Sequence, residues 1–418
     1  MLSRRFKILT RPFPLPIKAH YTETLRFPKC ALPTLSRPSS QHKYNSRSSK
    51  WPGRNAWESF KILFKSSPIL MPTALILMVI SSGILLWSNK YYSDYIIGAF
   101  VKFPEPVAKQ LRKALYYTNI ELTPSLAIKY YKEALRLAEE HGLDRFSDET
   151  IGIKVQIALL FEKCQKYHKA IEVLEAIRND NLKWLDVVGF KEGWLGKRNK
   201  VLQKTVQISV KLGDLYGNQF VLEPELAEER VTWAVEQTLN EQERRERAGI
   251  VEDEGPWFDE EQIGAQFETL AHMHEEKNRH YLSAPLFLQA LNLSPPKSCH
   301  TVILMNNLST SLAQQLPPSN FPEGPTTREA LISNAIAWAE KAVSLANKIQ
   351  PPERNEECDT GCAVATHNMG EFSEMRGDYK GAENHYKQAA YLAKKIGFKE
   401  GLKNSEMALK RIKAIGTT

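Results

Sequence analysis

Apolar and polar residues recur with a helical period through most of the chain, and the clearest case is the segment 363–396. Small or aromatic residues lie three and four positions apart there, and a Gly-Asp-Tyr sequence at 377–379 interrupts the pattern midway. Residues at that spacing share one face of an α-helix, whereas glycine between two periodic segments favours a turn. The pattern therefore predicts two short amphipathic helices that pack against each other across a tight turn.

The same order of small and large residues recurs along the chain. In 363–396 the contact positions are Met369, Gly370, Ala382, Tyr386 and Ala389. The other copies place Ala127, Tyr131 and Ala134 in 108–141; Ala158, Tyr167, Ala170 and Leu174 in 151–184; Leu212, Gly213, Tyr216, Ala227 and Ala234 in a copy starting near Val206; Ala271, Ser283, Phe287 and Ala290 in 264–297; and Ala335 and Ala342 in a copy starting near Val302. This pattern resembles the tetratricopeptide repeat (TPR), a helix–turn–helix unit of about 34 residues.

The repeats define the expected fold class. No long segment of the sequence alternates with a period of two, so we predict no sheet. We expect an all-α protein in which a TPR-type solenoid of about six repeats occupies 108–396. The segment 397–418 predicts a terminal capping helix, because its apolar residues share one face and lysines lie opposite. These apolar residues are Leu402, Leu409, Ile412 and Ile415.

Two inserts interrupt the predicted repeats. The segment 241–262 contains nine acidic residues around Trp257 and Phe258, and the segment 317–329 is rich in proline. The first insert is typical of a solvated loop whose two aromatic residues dock onto the next helix. The alternative is a loop that docks a partner. These inserts leave the continuity of the repeats near 180–262 open.

The positive charge of the chain is concentrated at its N-terminal end. Of 56 Lys and Arg and 48 Asp and Glu, 14 basic but only two acidic residues fall in 1–65. That segment is also rich in Ser and Pro, and Leu2, Phe6 and Leu9 share one helical face, which is typical of a mitochondrial transit peptide. We predict a transit peptide and basic matrix-side segment over 1–65. The rest of the chain, with 42 basic and 46 acidic residues, has no basic excess for nucleic acid.

Residues 66–88 contain no charged side chain, and the 19 residues from Ile69 to Trp87 are almost wholly apolar. As a helix they would extend about 28 Å, close to the thickness of the hydrocarbon core of a bilayer. We therefore predict a transmembrane helix, followed by a juxtamembrane linker over 89–107. Because basic residues precede the span, we expect the N-terminus in the matrix and the repeats in the intermembrane space, with the protein held in the mitochondrial inner membrane.

Motifs for catalysis or cofactor binding are not found in the sequence. The stretch HMHEEKNRH at 272–280 has Asn278 where a zinc-binding H-E-x-x-H motif needs its second histidine. The glycines of GWLGKR at 193–198 are too close together for a phosphate-binding loop. We therefore predict a protein without enzymatic activity, cofactor or metal.

The chain contains five cysteines, and its only close pair is Cys358 and Cys362. Two thiols alone do not hold zinc. A disulfide between them is one reading, but the spacing favours two unpaired thiols at the start of a helix.

The first helix of each TPR unit lines the concave face of the array, so polar residues there are candidates for a peptide-binding groove. They are His272 and Glu275 in unit four, Asn306, Asn307, Thr310 and Gln314 in unit five, and His367, Asn368 and Glu371 in unit six. Asparagine amides can hold an extended peptide by its backbone without demanding one side-chain sequence. The alternative is that these residues are solvated surface.

Three stretches carry a closer resemblance, namely GPWFDEEQIGAQFETLAHMHEEK, YLSAPLFLQALNLSPP and SCHTVILMNNLSTSLAQQ. With the presequence and the span, they resemble the fungal TPR adaptor subunits of the mitochondrial i-AAA protease over about 70–415. The resemblance implies a protein that binds misfolded or unassembled proteins in the intermembrane space and delivers them to the protease. The implied partners are the protease, unfolded substrates and, as an open alternative, a second adaptor subunit.

Two other functions stay open on the sequence. One is a TPR scaffold for the assembly of a respiratory complex. The other is a mitochondrial import receptor, in which case the repeats would face the cytosol.

Overall fold

The computed structural model describes residues 65–66, 69–91, 98–189, 191, 193–251, 254–316 and 327–416. All regular secondary structure in these ranges is helical, which confirms the predicted all-α class. The predicted transit peptide falls before residue 65, and most of the predicted insert at 317–329 falls in 317–326. Apart from residue 65 and residues 327–329, both therefore lie outside the described residues.

Fourteen α-helices and one short 3-10 helix occupy the described ranges. They are α1 Leu70–Tyr91, the 3-10 helix Gly98–Phe100, α2 Glu105–Asn119, α3 Pro124–Glu140, α4 Asp148–Lys163, α5 Tyr167–Val188, α6 Leu195–Tyr216, α7 Pro224–Ala248, α8 Glu260–Glu276, α9 His280–Leu293, α10 Cys299–Gln314, α11 Arg328–Lys348, α12 Glu356–Met375, α13 Tyr379–Lys395 and α14 Lys399–Gly416. From α2 onward each helix packs against the next, so α2 to α13 form six consecutive pairs, called here units one to six. Helix α14 packs on the last pair, which confirms the TPR-type solenoid of six repeats.

The chain divides into two compact units, residues 1–103 and 104–418. The first unit contains α1, in which an 18-residue window of Leu70–Lys90 has a mean hydropathy of 2.1 and is not buried in the structure. By length and composition this helix is able to cross a membrane, and it begins slightly later than the span predicted at 66–88. The second unit contains all six helix pairs and α14.

Small residues allow the two helices of a pair to approach closely. In unit six, Gly370 of α12 lies against Tyr386 of α13, and a Cβ atom on Gly370 would lie 2.7 Å from the tyrosine ring. Tyr386 is buried between Ala382 and Ala389. The matching residues of the earlier units are also buried, namely Ala127, Tyr131, Ala134, Ala170, Leu174, Ala227, Ala234, Ser283, Phe287, Ala290, Ala335 and Ala342. The repeat positions found in the sequence are thus the contact positions of the fold.

The charged segment predicted as an insert at 241–262 is partly helical, because α7 continues through its first part. Arg and Glu residues four apart pair along this end of α7, which favours the helix. The connection that follows is fastened by Glu254, whose buried carboxylate accepts a hydrogen bond from Arg244 Nη2 at 2.6 Å. Phe258 is buried in the core cluster shared by units three, four and five, and Trp257 packs beside it. Glu241, Arg245, Glu254 and Phe258 are therefore built into the array, whereas most other described residues of the segment are exposed.

The expectation of two unpaired thiols is wrong, because Cys358 forms a disulfide with Cys299. The bond joins the first residue of α10 to the third residue of α12, with the two Cα atoms 4.6 Å apart and a separation of 59 positions along the sequence. Cys362 remains a free, buried thiol one helical turn further along α12. The pairing joins two different repeat units, so the spacing of cysteines along the chain did not reveal it.

Candidate functional site

The nine predicted groove residues lie on α8, α10 and α12, the first helices of units four, five and six. They are His272 and Glu275 on α8, Asn306, Asn307, Thr310 and Gln314 on α10, and His367, Asn368 and Glu371 on α12. Close polar contacts connect most of them across the three units, and we refer to the nine residues as the polar strip.

An amide hydrogen bond links the polar strip between units five and six. The Asn368 Nδ2 group donates to Asn306 Oδ1 at 2.9 Å and to Thr310 Oγ1 at 3.0 Å. Asn306 and Asn368 are only 6% and 9% exposed, because α10 packs directly against α12. A buried polar group left without a partner costs about 1–3 kcal/mol. This pair therefore holds the two units in register as well as lining the strip.

The His367 ring is held from several sides. Its Nδ1 atom lies 3.0 Å from Ser405 Oγ of α14, and its Nε2 atom lies 3.5 Å from the carboxylate of Glu371. The centroids of the His367 and Tyr386 rings are 5.0 Å apart. These contacts fasten α14 to unit six. They also bury His367, whereas Glu371 stays more open to solvent.

Between units four and five, a buried carboxylate lies between two histidines. Glu268 of α8 accepts a hydrogen bond from His300 Nε2 of α10 at 2.9 Å, and its other oxygen lies 3.7 Å from His272 Nε2. Burial raises the pKa of Glu268, but the two histidines outweigh it and lower the pKa to about 2. Burial lowers the pKa of His272, but the nearby carboxylates of Glu268 and Glu275 outweigh that and raise the pKa to about 9. Glu268 and His272 are therefore oppositely charged at neutral pH, and we refer to Glu268, His272 and His300 as the triad.

Sequence reasoning missed Glu268 and His300. A signal for Glu268 was present, since it precedes His272 by four positions and so shares its helical face. The place of His300 depends on the approach of α8 and α10, which belong to different units. The hydrogen bond of His300 to Glu268 raises the pKa of His300 more than its burial lowers it.

The more accessible members of the strip are polar side chains suited to binding. Asn307 is half-buried, with its Nδ2 atom 3.5 Å from His272 Nε2, and Gln314 is exposed at the last residue of α10. Amides of this kind both donate and accept hydrogen bonds. Within the described ranges, no three His, Cys, Asp or Glu side chains are grouped so as to hold a metal ion. The strip therefore offers recognition groups along the first helices of three units.

The fold is that of a TPR-type helical repeat protein, a class whose arrays bind peptide or protein partners. No family model matches the sequence. The chain is 29% identical over 313 residues to a TPR repeat-containing protein of Schizosaccharomyces pombe, which covers 74% of this chain and 79% of that protein. It is also 31% identical over 120 residues to a Saccharomyces cerevisiae protein named MRG3-like, which covers 27% of this chain and 24% of that protein.

Among solved structures, the chain is similar to BtubC (BKLC) from P. vanneervenii, with 16% sequence identity and a TM-score of 0.44. The similarity covers 67% of this chain and 93% of that one.

Proposed function

We propose that this protein is an inner-membrane adaptor that binds misfolded or unassembled proteins in the intermembrane space and delivers them to the i-AAA protease. The observation that carries the proposal is the order of parts, since one apolar helix able to span a membrane precedes six TPR-type units. A protein-binding array tethered in this way stays at the membrane surface, where a membrane-bound protease acts. The sequence resemblance to i-AAA adaptors supplies the identity of the protease.

The polar strip supports weak binding of extended segments. The hydrogen bond between Asn306 and Asn368 uses the acceptor half of one amide and the donor half of the other. Asn307 and Gln314 keep accessible amide groups, and the donors and acceptors of these amides are complementary to a peptide backbone. Recognition of the backbone tolerates many side-chain sequences, and weak binding permits hand-over to a protease.

Co-purification of the full-length, C-terminally tagged protein from mitochondria in mild detergent tests the partner. We expect mass spectrometry to recover an AAA protease as the main partner. Recovery of import-channel components or Hsp70 instead would replace the proposal with an import receptor. Recovery of the subunits of one respiratory complex would replace it with an assembly scaffold.

A paired substitution tests the strip. Asn307→Ala combined with Gln314→Ala removes two accessible amides and leaves the buried Asn306–Asn368 pair intact. We expect turnover of intermembrane-space substrates to slow several-fold at an unchanged level of the protein. The matched control is Gln289→Ala, which removes an exposed amide from α9, the second helix of unit four. Unchanged turnover in the double variant would exclude the strip as the substrate site while leaving the co-purification result standing.

A further inference from the structure

Three of the five cysteines lie together at the junction of units five and six. Cys299, Cys358 and Cys362 are 4%, 0% and 6% exposed and share one apolar cluster with residues of α10, α11 and α12. The helices approach closely there because α12 has a glycine, Gly361, at the contact. A Cβ atom on Gly361 would lie 3.0 Å from side-chain atoms of both Val302 and Ile303 of α10.

The disulfide and the amide pair fasten the same two helices at different levels. The Cys299–Cys358 bond joins the N-terminal ends of α10 and α12. The Asn306–Asn368 hydrogen bond joins the same helices about two turns further along α10. Two contacts at different levels fix both the distance between α10 and α12 and the rotation of one helix relative to the other. The bond therefore sets the alignment of the polar strip across units five and six.

We propose that a dithiol–disulfide oxidoreductase introduces the Cys299–Cys358 bond in the cell, so that the array matures in an oxidising compartment. In this exchange one cysteine thiolate attacks the disulfide of the oxidoreductase, which forms a mixed disulfide and releases one thiol of that enzyme. The second cysteine thiolate then attacks the mixed disulfide at the sulfur of its partner cysteine and displaces the enzyme as a dithiol. The cysteine pair loses two protons and two electrons, and the oxidoreductase disulfide is reduced by the same amount.

The burial of Cys299 and Cys358 limits the stage of folding at which this exchange can take place. Both sulfur-bearing side chains are almost fully buried, so neither an oxidant nor a reductant reaches them once units five and six have packed. The bond must form before that packing is complete, and afterwards it persists.

Cys362 is placed next to the bond but is a poor partner for exchange. Burial raises the pKa of the Cys362 thiol, although Arg354 opposes the effect. The thiolate is the attacking species in disulfide exchange, so a raised pKa slows attack on the neighbouring bond. The structure thus favours one stable pairing over shuffling among the three cysteines.

The redox state of Cys299 and Cys358 depends on the compartment that contains the repeats, and the competing functions place the repeats in different compartments. Glutathione and thioredoxin keep thiols reduced in the cytosol. A cytosolic array, as in an import receptor, would carry Cys299 and Cys358 as thiols. This inference rests on the location given in the proposed function but not on the identity of the protease.

Two-step thiol labelling of the full-length protein in isolated mitochondria tests the inference. Samples are quenched in acid, denatured, blocked with light N-ethylmaleimide, reduced, labelled with heavy N-ethylmaleimide and read by peptide mass spectrometry. We expect heavy label on Cys299 and Cys358 and light label on Cys164 and Cys362. The variant Cys362→Ser should keep both heavy labels, and Cys358→Ser should turn Cys299 light.

Light label on Cys299 and Cys358 in the wild-type protein would overturn the proposal. Heavy label on Cys358 and Cys362, with Cys299 light, would overturn it equally by showing the other pairing. The outcome is independent of the protease. A heavy Cys299–Cys358 pair without a co-purified AAA protease rejects only the adaptor function, whereas a light pair with the protease present rejects only the disulfide.

Discussion

Replacing Glu268 by glutamine tests the electrostatic link between units four and five. The substitution keeps the shape of the side chain but removes the negative charge that lies between His272 and His300. The rise in the pKa of His272 from 6.5 to about 9 corresponds to an upper limit of about 3 kcal/mol, and Glu275 supplies part of it. The His272 side chain is 36% exposed, so solvent screens the attraction, and the same attraction also lowers the pKa of Glu268. We therefore expect a loss of about 1–2 kcal/mol in the free energy of unfolding.

The loss depends on pH in a defined direction. The pKa of His272 is raised in the fold, so its stabilising contribution is complete below about pH 6.5 and is lost as the pH rises through about 9. The pKa of Glu268 is lowered in the fold, so its contribution is present above about pH 4.5 and is lost as the pH falls through about 2. The triad therefore stabilises the protein most between about pH 4.5 and 6.5.

Urea denaturation of the detergent-solubilised protein, followed by circular dichroism at pH 6 and pH 10, measures this contribution. Glu268→Gln should lower the free energy of unfolding by about 1–2 kcal/mol at pH 6 and by less than about 0.5 kcal/mol at pH 10. Glu276→Gln, which removes an exposed charge at the end of the same helix, is the control and should show no such difference. An equal loss at both pH values would refute the electrostatic reasoning, and so would the absence of a loss at pH 6.

Two further predictions concern packing and covalent fastening. Gly370→Ala should lower the free energy of unfolding by about 1–3 kcal/mol, because its Cβ atom would meet the Tyr386 ring. Gly152→Ala, whose Cβ would meet nothing within 4 Å, should raise it by up to about 1 kcal/mol, and equal effects in urea denaturation would contradict the close approach. Cys358→Ser should lower it by about 4 kcal/mol, because the closed loop of 59 positions is lost. Cys362→Ser keeps the bond, and an equal loss in both serine variants under non-reducing conditions would exclude a stabilising disulfide.

The repeat positions were predictable because the requirement behind them is local. Two helices joined by a short turn touch where their residues are small, and the next unit packs where a large residue follows. Gly370, Tyr386 and Ala389 lie within one unit, so the spacing along the chain reports the contact directly. The same reasoning placed the polar strip on the first helices of units four to six.

Contacts between first helices of neighbouring units were not predictable in the same way. The Cys299–Cys358 bond and the Glu268–His300 hydrogen bond both depend on how far one unit is rotated relative to the next. That rotation depends on the packing of many side chains between the two units, and a short sequence motif does not report it. It also brings Asn368 onto Asn306, so residues expected to face a peptide are largely occupied with each other.

The packing of each helix mainly on its neighbours along the chain has a consequence for biogenesis. Contacts of this kind are short in sequence, so an early unit does not wait for the C-terminal residues before it folds. Units that emerge one after another from a translocation channel would bury their seams in order of arrival. The disulfide joins neighbouring units, so it would close near the end of that order. Such an architecture would suit a polypeptide that crosses a membrane as an extended chain and then folds unit by unit on the other side.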